Sequence, residues 1–309
     1  MIKIEDLIVG NGAGAVKTTQ DVIKACKSAA TRITVGSATL DPRAGNIGDT
    51  YYFHPMDCWS LNTLGLPNVG MHEYDQLLPQ MVQEAHNNGK ELWFSVAGFS
   101  PEEYADMTRR AFMAGVDGVE LNLSCPNVWG KNGRKAIPAF DAEMLKRIYG
   151  AVADALPSKS VGKYISAKAS PTDEIEKIAD FAEVTIASGL ICEVMAGNTK
   201  AGQRRWRQDG KEALSFRTDE ADPQVKHEGG LAGAALTTET PTHTKQLCDM
   251  LSPSIRIIAL GGIFNGVHAF NNIEAGAKGF MCTTAYIEYG QGILSNILEG
   301  LSDLMSEAA

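Results

Sequence analysis

Eight short apolar runs recur along the chain, most of them leading into a stretch of helical periodicity, and this alternation restricts the fold more than any other feature. The runs cover residues 7–10, 33–37, 92–97, 119–124, 164–169, 190–196, 255–259 and 279–283. They are near-continuous in apolar character, as expected of parallel strands covered on both faces. Eight βα units in series close into a (β/α)8 TIM barrel more readily than they spread into a doubly wound sheet. The 309 residues suit one such barrel with insertions, so a single domain spanning 1–309 is expected.

Helix starts are marked locally. Ser100-Pro101-Glu102-Glu103 reads as a capping box with proline at the first helical position, and Ser170-Pro171 reads as another start. Ile175, Ile178, Ala179, Ala182 and Ile186 fall on one face of the helix expected to follow. Asp141 suits a third N-cap, with Phe140 placed to staple onto Leu145. Tyr74, Leu77, Leu78, Met81 and Ala85 form a further stripe, in which Pro79 leaves the position of the helix start open.

Two interruptions break the alternation, at about 41–70 and 199–230. The second is polar, carries Arg204-Arg205-Trp206-Arg207 and then Asp219-Glu220, and lacks helical periodicity. A connection of that length in a compact domain is usually functional or an interface arm. With acids so close to the arginines, a solvated or dimer-facing arm is a better reading than a nucleic-acid patch. The net charge of -9, with both signs mixed, also argues against a nucleic-acid surface. No apolar run reaches the roughly 18 residues of a membrane span, and the first residues lack a signal-peptide pattern, so a cytoplasmic protein without membrane contact is expected. The six cysteines are scattered, which suits reduced thiols and offers no clustered metal ligands.

Chemistry in such folds sits at the carboxyl ends of the strands. There the fourth run ends in Glu120-Leu121-Asn122-Leu123-Ser124-Cys125-Pro126-Asn127. Each asparagine brings a donor and an acceptor, enough between them to read a planar amide-rich ligand. A thiol, with a reference pKa near ~8.5, can pass a proton; a lone cysteine can equally be packing. The first run leads into Gly10-Asn11-Gly12-Ala13-Gly14-Ala15-Val16-Lys17, whose glycine spacing is not a dinucleotide fingerprint. Gly261-Gly262, Thr283-Thr284 and Gly233 follow or flank the last runs, where barrels commonly hold a phosphate and where glycine also serves packing. Lys168 ends the fifth run; a lysine there either snorkels out or meets negative charge, such as that of a reduced flavin.

In order along the chain, these residues resemble the dihydroorotate dehydrogenase family, nearest class 1. Asn62-Thr63-Leu64-Gly65-Leu66-Pro67-Asn68 is similar to its substrate loop, residues 120–127 to its catalytic loop, and Asn198-Thr199 to its Asn-Ser/Thr pair. The resemblance implies an FMN-dependent oxidation of dihydroorotate to orotate in pyrimidine biosynthesis. Cys125 would be the general base, and Lys168 would stabilise the reduced flavin. Lys17, Asn62, Leu64, Gly65, Leu66, Asn127, Asn198 and Thr199 would meet the substrate. Ala13, Gly14, Lys17, Gly36, Ser37, Asn62, Asn122, Lys168, Gly233, Gly261, Gly262, Thr283 and Thr284 would hold the cofactor. It further implies a homodimer and a separate electron acceptor, fumarate or a partner subunit.

Two departures stand out. Class 1 members carry a lysine just before the serine of Gly36-Ser37-Ala38-Thr39, and here that position is glycine. Lys17 stands where the class 2 enzymes place theirs, so it is expected to supply the missing charge. The segment Val128-Trp129-Gly130-Lys131-Asn132-Gly133-Arg134-Lys135 is longer and more basic than usual, which leaves substrate identity open. Reduction of another pyrimidine, a tRNA dihydrouridine synthase and a non-catalytic flavin-binding barrel are the alternatives.

Overall fold

The structure is a computed structural model that describes residues 3–125, 129–130, 133–134, 136–156, 164–218, 223–251 and 253–307. All eight expected strands are present, and they close in sequential order. They are β1 (Ile8–Asn11), β2 (Arg32–Ala38), β3 (Glu91–Val96), β4 (Gly118–Leu121), β5 (Tyr164–Lys168), β6 (Glu193–Met195), β7 (Arg256–Leu260) and β8 (Gly279–Cys282). Every neighbouring pair is parallel, and β1 pairs with β8 to seal the (β/α)8 barrel. Ile8, Met195, Ile258, Leu260 and Met281 cluster apart from the main core, which holds the apolar faces of the barrel strands and of the helices.

The helices include α1 (Thr19–Ala25), α2 (Met71–Asn87), α3 (Pro101–Met113), α4 (Ala142–Ala155), α5 (Ile175–Ser188), α6 (Glu239–Leu251), α7 (Gly266–Glu274), α8 (Thr284–Tyr289) and α9 (Ile293–Glu307). Ser100 caps α3 by accepting from Glu103 N, while the Glu103 carboxylate reaches back to Phe99 N instead of the cap's own N–H. Asp141 caps α4 through Met144 N. One open point is settled and one local expectation is corrected. Helix α2 runs through Pro79, because Tyr74, Leu78, Met81 and Ala85 bury one continuous face that outweighs a single lost backbone bond. Helix α5 begins four residues after Pro171, and it buries Ile178, Phe181, Ala182 and Thr185 while Ile175 and Ile186 stay exposed.

The amino end of the barrel is closed by charge. Arg32 Nη1 lies 2.6 Å from Glu193 Oε1, both side chains fully buried, and the Arg32 guanidinium stacks 3.7 Å from the Trp93 ring centroid. Glu91 and Arg256 complete this group from the starts of β3 and β7. At the opposite end the two interruptions meet. The Tyr51–Phe53, Trp59–Asn62, Gly229–Gly233 and Lys200–Gln203 strands form one antiparallel sheet, and Ile47–Asp49 pairs with Ser215–Arg217. A small second core of Trp59, Leu61, Leu214, Phe216 and Leu231 holds this sheet together. Arg207 pairs with Asp49 across the two interruptions, and Arg204 with Glu212. The sheet places Asn62 and Gly233 at the barrel's carboxyl mouth.

Candidate active site

A cavity of about 1140 Å³, counting open solvent at its mouth, occupies the carboxyl end of the barrel. Apart from Asn127, which lies outside the described residues, every residue that the sequence put forward for the site lines it. The basic segment after Cys125 is described only as a short hairpin of Trp129–Gly130 against Gly133–Arg134.

Period-two geometry explains the centre. Glu120, Asn122 and Ser124 alternate along one face of the β4 end, and all three are buried. The Asn122 backbone is pinned, its N–H donating to Val96 O (2.8 Å) and its carbonyl accepting from Tyr104 Oη (2.9 Å). Its amide donates to Ser37 Oγ at 2.8 Å and accepts from Asn198 Nδ2 at 3.3 Å. Asn198 Nδ2 also donates to Ser124 Oγ at 2.8 Å. Two amides from β4 and the loop after β6 therefore stand locked side by side. Cys125, the next residue, is half-buried on the cavity wall. Burial, helped by Cys125 nearby, pushes the Tyr104 phenol well above its ordinary range.

Lys168 is only 4% exposed, and it does not depend on a bound molecule for its counter-charge: Glu120 Oε1 lies 3.2 Å from its Nζ. The same oxygen accepts from Ser95 Oγ at 2.7 Å, and Ser95 meets Ser37 at 2.8 Å. One chain of contacts thus runs from Lys168 through Glu120, Ser95 and Ser37 to Asn122. Glu120 Oε2 is buried without a partner among the described residues. The sequence reading passed over Glu120, although the signal was present: charged residues inside two neighbouring apolar strands, of opposite sign, ask for each other.

The substrate-like loop is built with its carbonyls turned into the protein. Leu64 O accepts from Asn46 N, Gly65 O from Arg43 Nε, and Leu66 O from Asn68 Nδ2. In a trans peptide the N–H points opposite to the carbonyl before it. The N–H groups of Gly65 and Leu66 are consequently turned away from Asn46 and Arg43. Gly65 (φ 75) and Leu66 (φ 59) both adopt positive φ, an uncommon conformation for leucine that is found at functional sites. Lys17 Nζ donates to Pro67 O at 2.9 Å, tying the loop after β1 to this one. Burial lowers the Lys17 pKa, with Asp21 acting in the other direction.

On the other side, Gly233, Gly261-Gly262 and Thr283-Thr284 line a shallow cradle. Gly261 (φ 126) and Gly262 (φ 66) need glycine, and a Cβ at Gly262 would sit 2.5 Å from Thr237 N. Thr284 and Ala285 begin α8, where backbone N–H groups have no intrahelical acceptor. Ser60 Oγ meets Thr284 Oγ1 at 3.0 Å and Tyr51 Oη donates to Glu288 at 2.6 Å, so the sheet is fastened to α8. Tyr51, Ser60 and Phe264 line the cavity without having been marked in the sequence.

Fold and family together define a TIM-barrel enzyme, with a large cavity at the carboxyl ends of its strands. Residues 6–305 match the family model for dihydroorotate dehydrogenase. The chain is 27% identical over 292 residues to dihydroorotate dehydrogenase A (fumarate) of Lactococcus lactis subsp. lactis, covering 94% of this chain and 87% of the relative. It is 28% identical over 275 residues to dihydroorotate dehydrogenase (fumarate) of Lachancea kluyveri, covering 88% and 80%. The solved structure of DHODH from Eimeria tenella in complex with ferulenol shares the fold, with a TM-score of 0.80 at 21% identity over 99% of this chain and 84% of that one. This chain belongs to the dihydroorotate dehydrogenase family, nearest its class 1 members, and is an oxidoreductase acting on a CH–CH bond. Among the described residues no helix is long and apolar enough to cross a membrane.

Proposed function

We propose that the chain oxidises dihydroorotate to orotate in the cytoplasmic synthesis of pyrimidines, with FMN held in the cavity and fumarate as the acceptor. The observation that carries this reading is the convergence of Cys125, Lys168, Asn122 and Asn198 on one cavity beside a glycine cradle. The residues present fit FMN. The cradle at Gly233, Gly261-Gly262 and Thr283-Thr284 has the backbone room that a terminal phosphate needs, and no dinucleotide fingerprint competes for it. Thr199 Oγ1, buried on the cavity wall without a partner among the described residues, supplies a hydroxyl that a ligand would satisfy.

Oxidation of the C5–C6 bond removes a proton and a hydride. Cys125 takes the proton from C5, a step worth about 10²–10⁴-fold when the base is well positioned. FMN, when bound, supplies the hydride acceptor for C6. Asn122 and Asn198 hold the planar ring, being themselves held by Ser37 and Ser124. Gly65 and Leu66 N–H groups, with Lys17 behind them, face the substrate carboxylate. Lys168 places a positive charge at the cavity wall where electron density would gather.

A second reading, an uncharged dihydropyrimidine as substrate, draws support from the loss of the lysine at Gly36. Anaerobic bleaching of the flavin in purified protein separates the two. Dihydroorotate is expected to bleach it, and dihydrouracil and dihydrothymine only poorly. Bleaching by the uncharged compounds alone, or a protein with no affinity for FMN, would overturn the proposal.

A further inference from the structure

Behind the glycine cradle lies a second cavity, of about 830 Å³ including open solvent at its mouth. One side is a face of α6 with Thr242, His243 and Gln246; the other is the loop after β5, from Pro171 to Asp173. Leu236 and Leu260 wall both this cavity and the main one. Gly261 stands between them, since a Cβ there would lie 2.9 Å from Thr240 Oγ1 and 3.5 Å from Leu236.

His243 is 8% exposed, and neither ring nitrogen has a hydrogen-bonding partner among the described residues. A buried polar group left in that state is destabilising unless something satisfies it. Leu247 and Leu251, further along the same helix, show how an apolar residue would serve if packing were the only demand. Burial lowers the His243 pKa to about 4, with Asp173 opposing, so the ring is neutral near pH 7. A neutral imidazole offers one donor and one acceptor. The rim has a different character. Asp173 and Glu239 flank the mouth, with Lys200 Nζ 3.4 Å and 2.9 Å from them, which leaves one negative charge in excess. Such a rim accepts hydrogen bonds from N–H groups and repels phosphate. Pro171, Ala196, Leu236 and Leu260 give the interior an apolar wall.

We propose that this cavity is a second ligand site, for a small uncharged nitrogen heterocycle that bears an amine: a nucleobase or its nucleoside. His243 bonds the ring, and the rim carboxylates accept from the amine. The occupant rests on Leu236 and Leu260, against the back of the cradle.

Titration of the flavin-loaded protein with adenosine, cytidine and AMP tests this, with His243 followed by imidazole NMR signals assigned through His243→Leu. Adenosine and cytidine are expected to shift the His243 signals saturably, with AMP weaker by about tenfold or more, or 1.4 kcal/mol. Gln246→Leu, which removes a polar group from the half-exposed wall beside His243, is expected to weaken both nucleosides severalfold and keeps the test decisive if His243→Leu fails to fold. His243 signals that do not move, AMP binding as tight as adenosine, or affinities unchanged by Gln246→Leu would each overturn the proposal.

Discussion

Replacing Glu120 by Gln tests whether the protein itself holds the positive charge at the cavity wall. Lys168 Nζ and Glu120 Oε1 are 3.2 Å apart, with side chains 4% and 1% exposed. At that separation an effective dielectric near 20 gives an attraction of about 5 kcal/mol. Relaxation and water entry reduce the loss in a variant, and removing one partner of a buried pair typically costs about 3–5 kcal/mol. Glutamine keeps the shape and an acceptor for Ser95 Oγ, so the change is one of charge and not of packing. The flavin-free protein is expected to lose about 3 kcal/mol in urea unfolding, with the slope m unchanged. The FMN-loaded protein should lose less, because an electron-rich ligand replaces part of the missing negative charge. The two-electron midpoint potential should rise, by about 30 mV for each 1.4 kcal/mol of added preference for the reduced cofactor. Stability within about 0.5 kcal/mol of the parent, together with an unchanged potential, would refute the reasoning.

Three further outcomes are expected. Cys125→Ala should bind flavin but slow its reduction by at least ~10²-fold, while Cys125→Ser keeps some activity with an optimum at higher pH; stopped-flow reduction at the parental rate would make the thiol structural. Lys17→Met should weaken a carboxylated pyrimidine by about 1–3 kcal/mol and dihydrouracil by less, and equal losses in steady-state kinetics on both would remove Lys17 from carboxylate recognition. Arg32→Met, which among the described residues leaves buried Glu193 with only the longer Arg256 ion pair, should cost about 3–5 kcal/mol in denaturant unfolding yet leave the rate of flavin reduction intact; a slowed rate in the folded variant would show that the two ends of the barrel are coupled.

Periodicity made the barrel legible: eight apolar runs of strand length leave few other closures, and each run became a barrel strand. What periodicity cannot register is a contact between distant segments. The two interruptions looked independent because their joint core of Trp59, Leu61, Leu214, Phe216 and Leu231 is assembled from both, with too few apolar residues in either to form a pattern alone. Helix α5 shows a related limit. Ser170-Pro171 has the chemistry of a start, but Ser170 itself is buried against the barrel, and the helix waits until Ile175. At the site, residue types at strand ends were readable because the fold fixes where strand ends go. The partners of those residues were not. Lys168 left open whether it snorkels out or meets a negative charge, and only the pairing of β4 with β5, which brings Glu120 opposite Ser166 two residues before it, shows an internal charge within reach.

The same logic bears on the cation proposed to replace a lysine at position 36. Gly36 has φ 129, and a Cβ there would lie 2.5 Å from the Ser95 carbonyl oxygen. No side chain fits without moving β2 away from β3, so the glycine is a property of the backbone and not an incidental loss of lysine. On the proposed function a cation for that side of the cavity comes from a neighbouring strand end, and the loop after β1 lies alongside, with Gly36 N–H donating to Val16 O at 3.1 Å. Lys17 reaches Pro67 O from there at 2.9 Å, which fixes the loop whose Gly65 and Leu66 N–H groups are turned away from their carbonyl anchors. A lysine rising from Gly36 would enter beside Ser37 and Ser95, whereas Lys17 enters beside Pro67, so the role proposed for it joins the loop to the substrate carboxylate. On that proposal charge and loop position come from one residue, and removing it should disturb both.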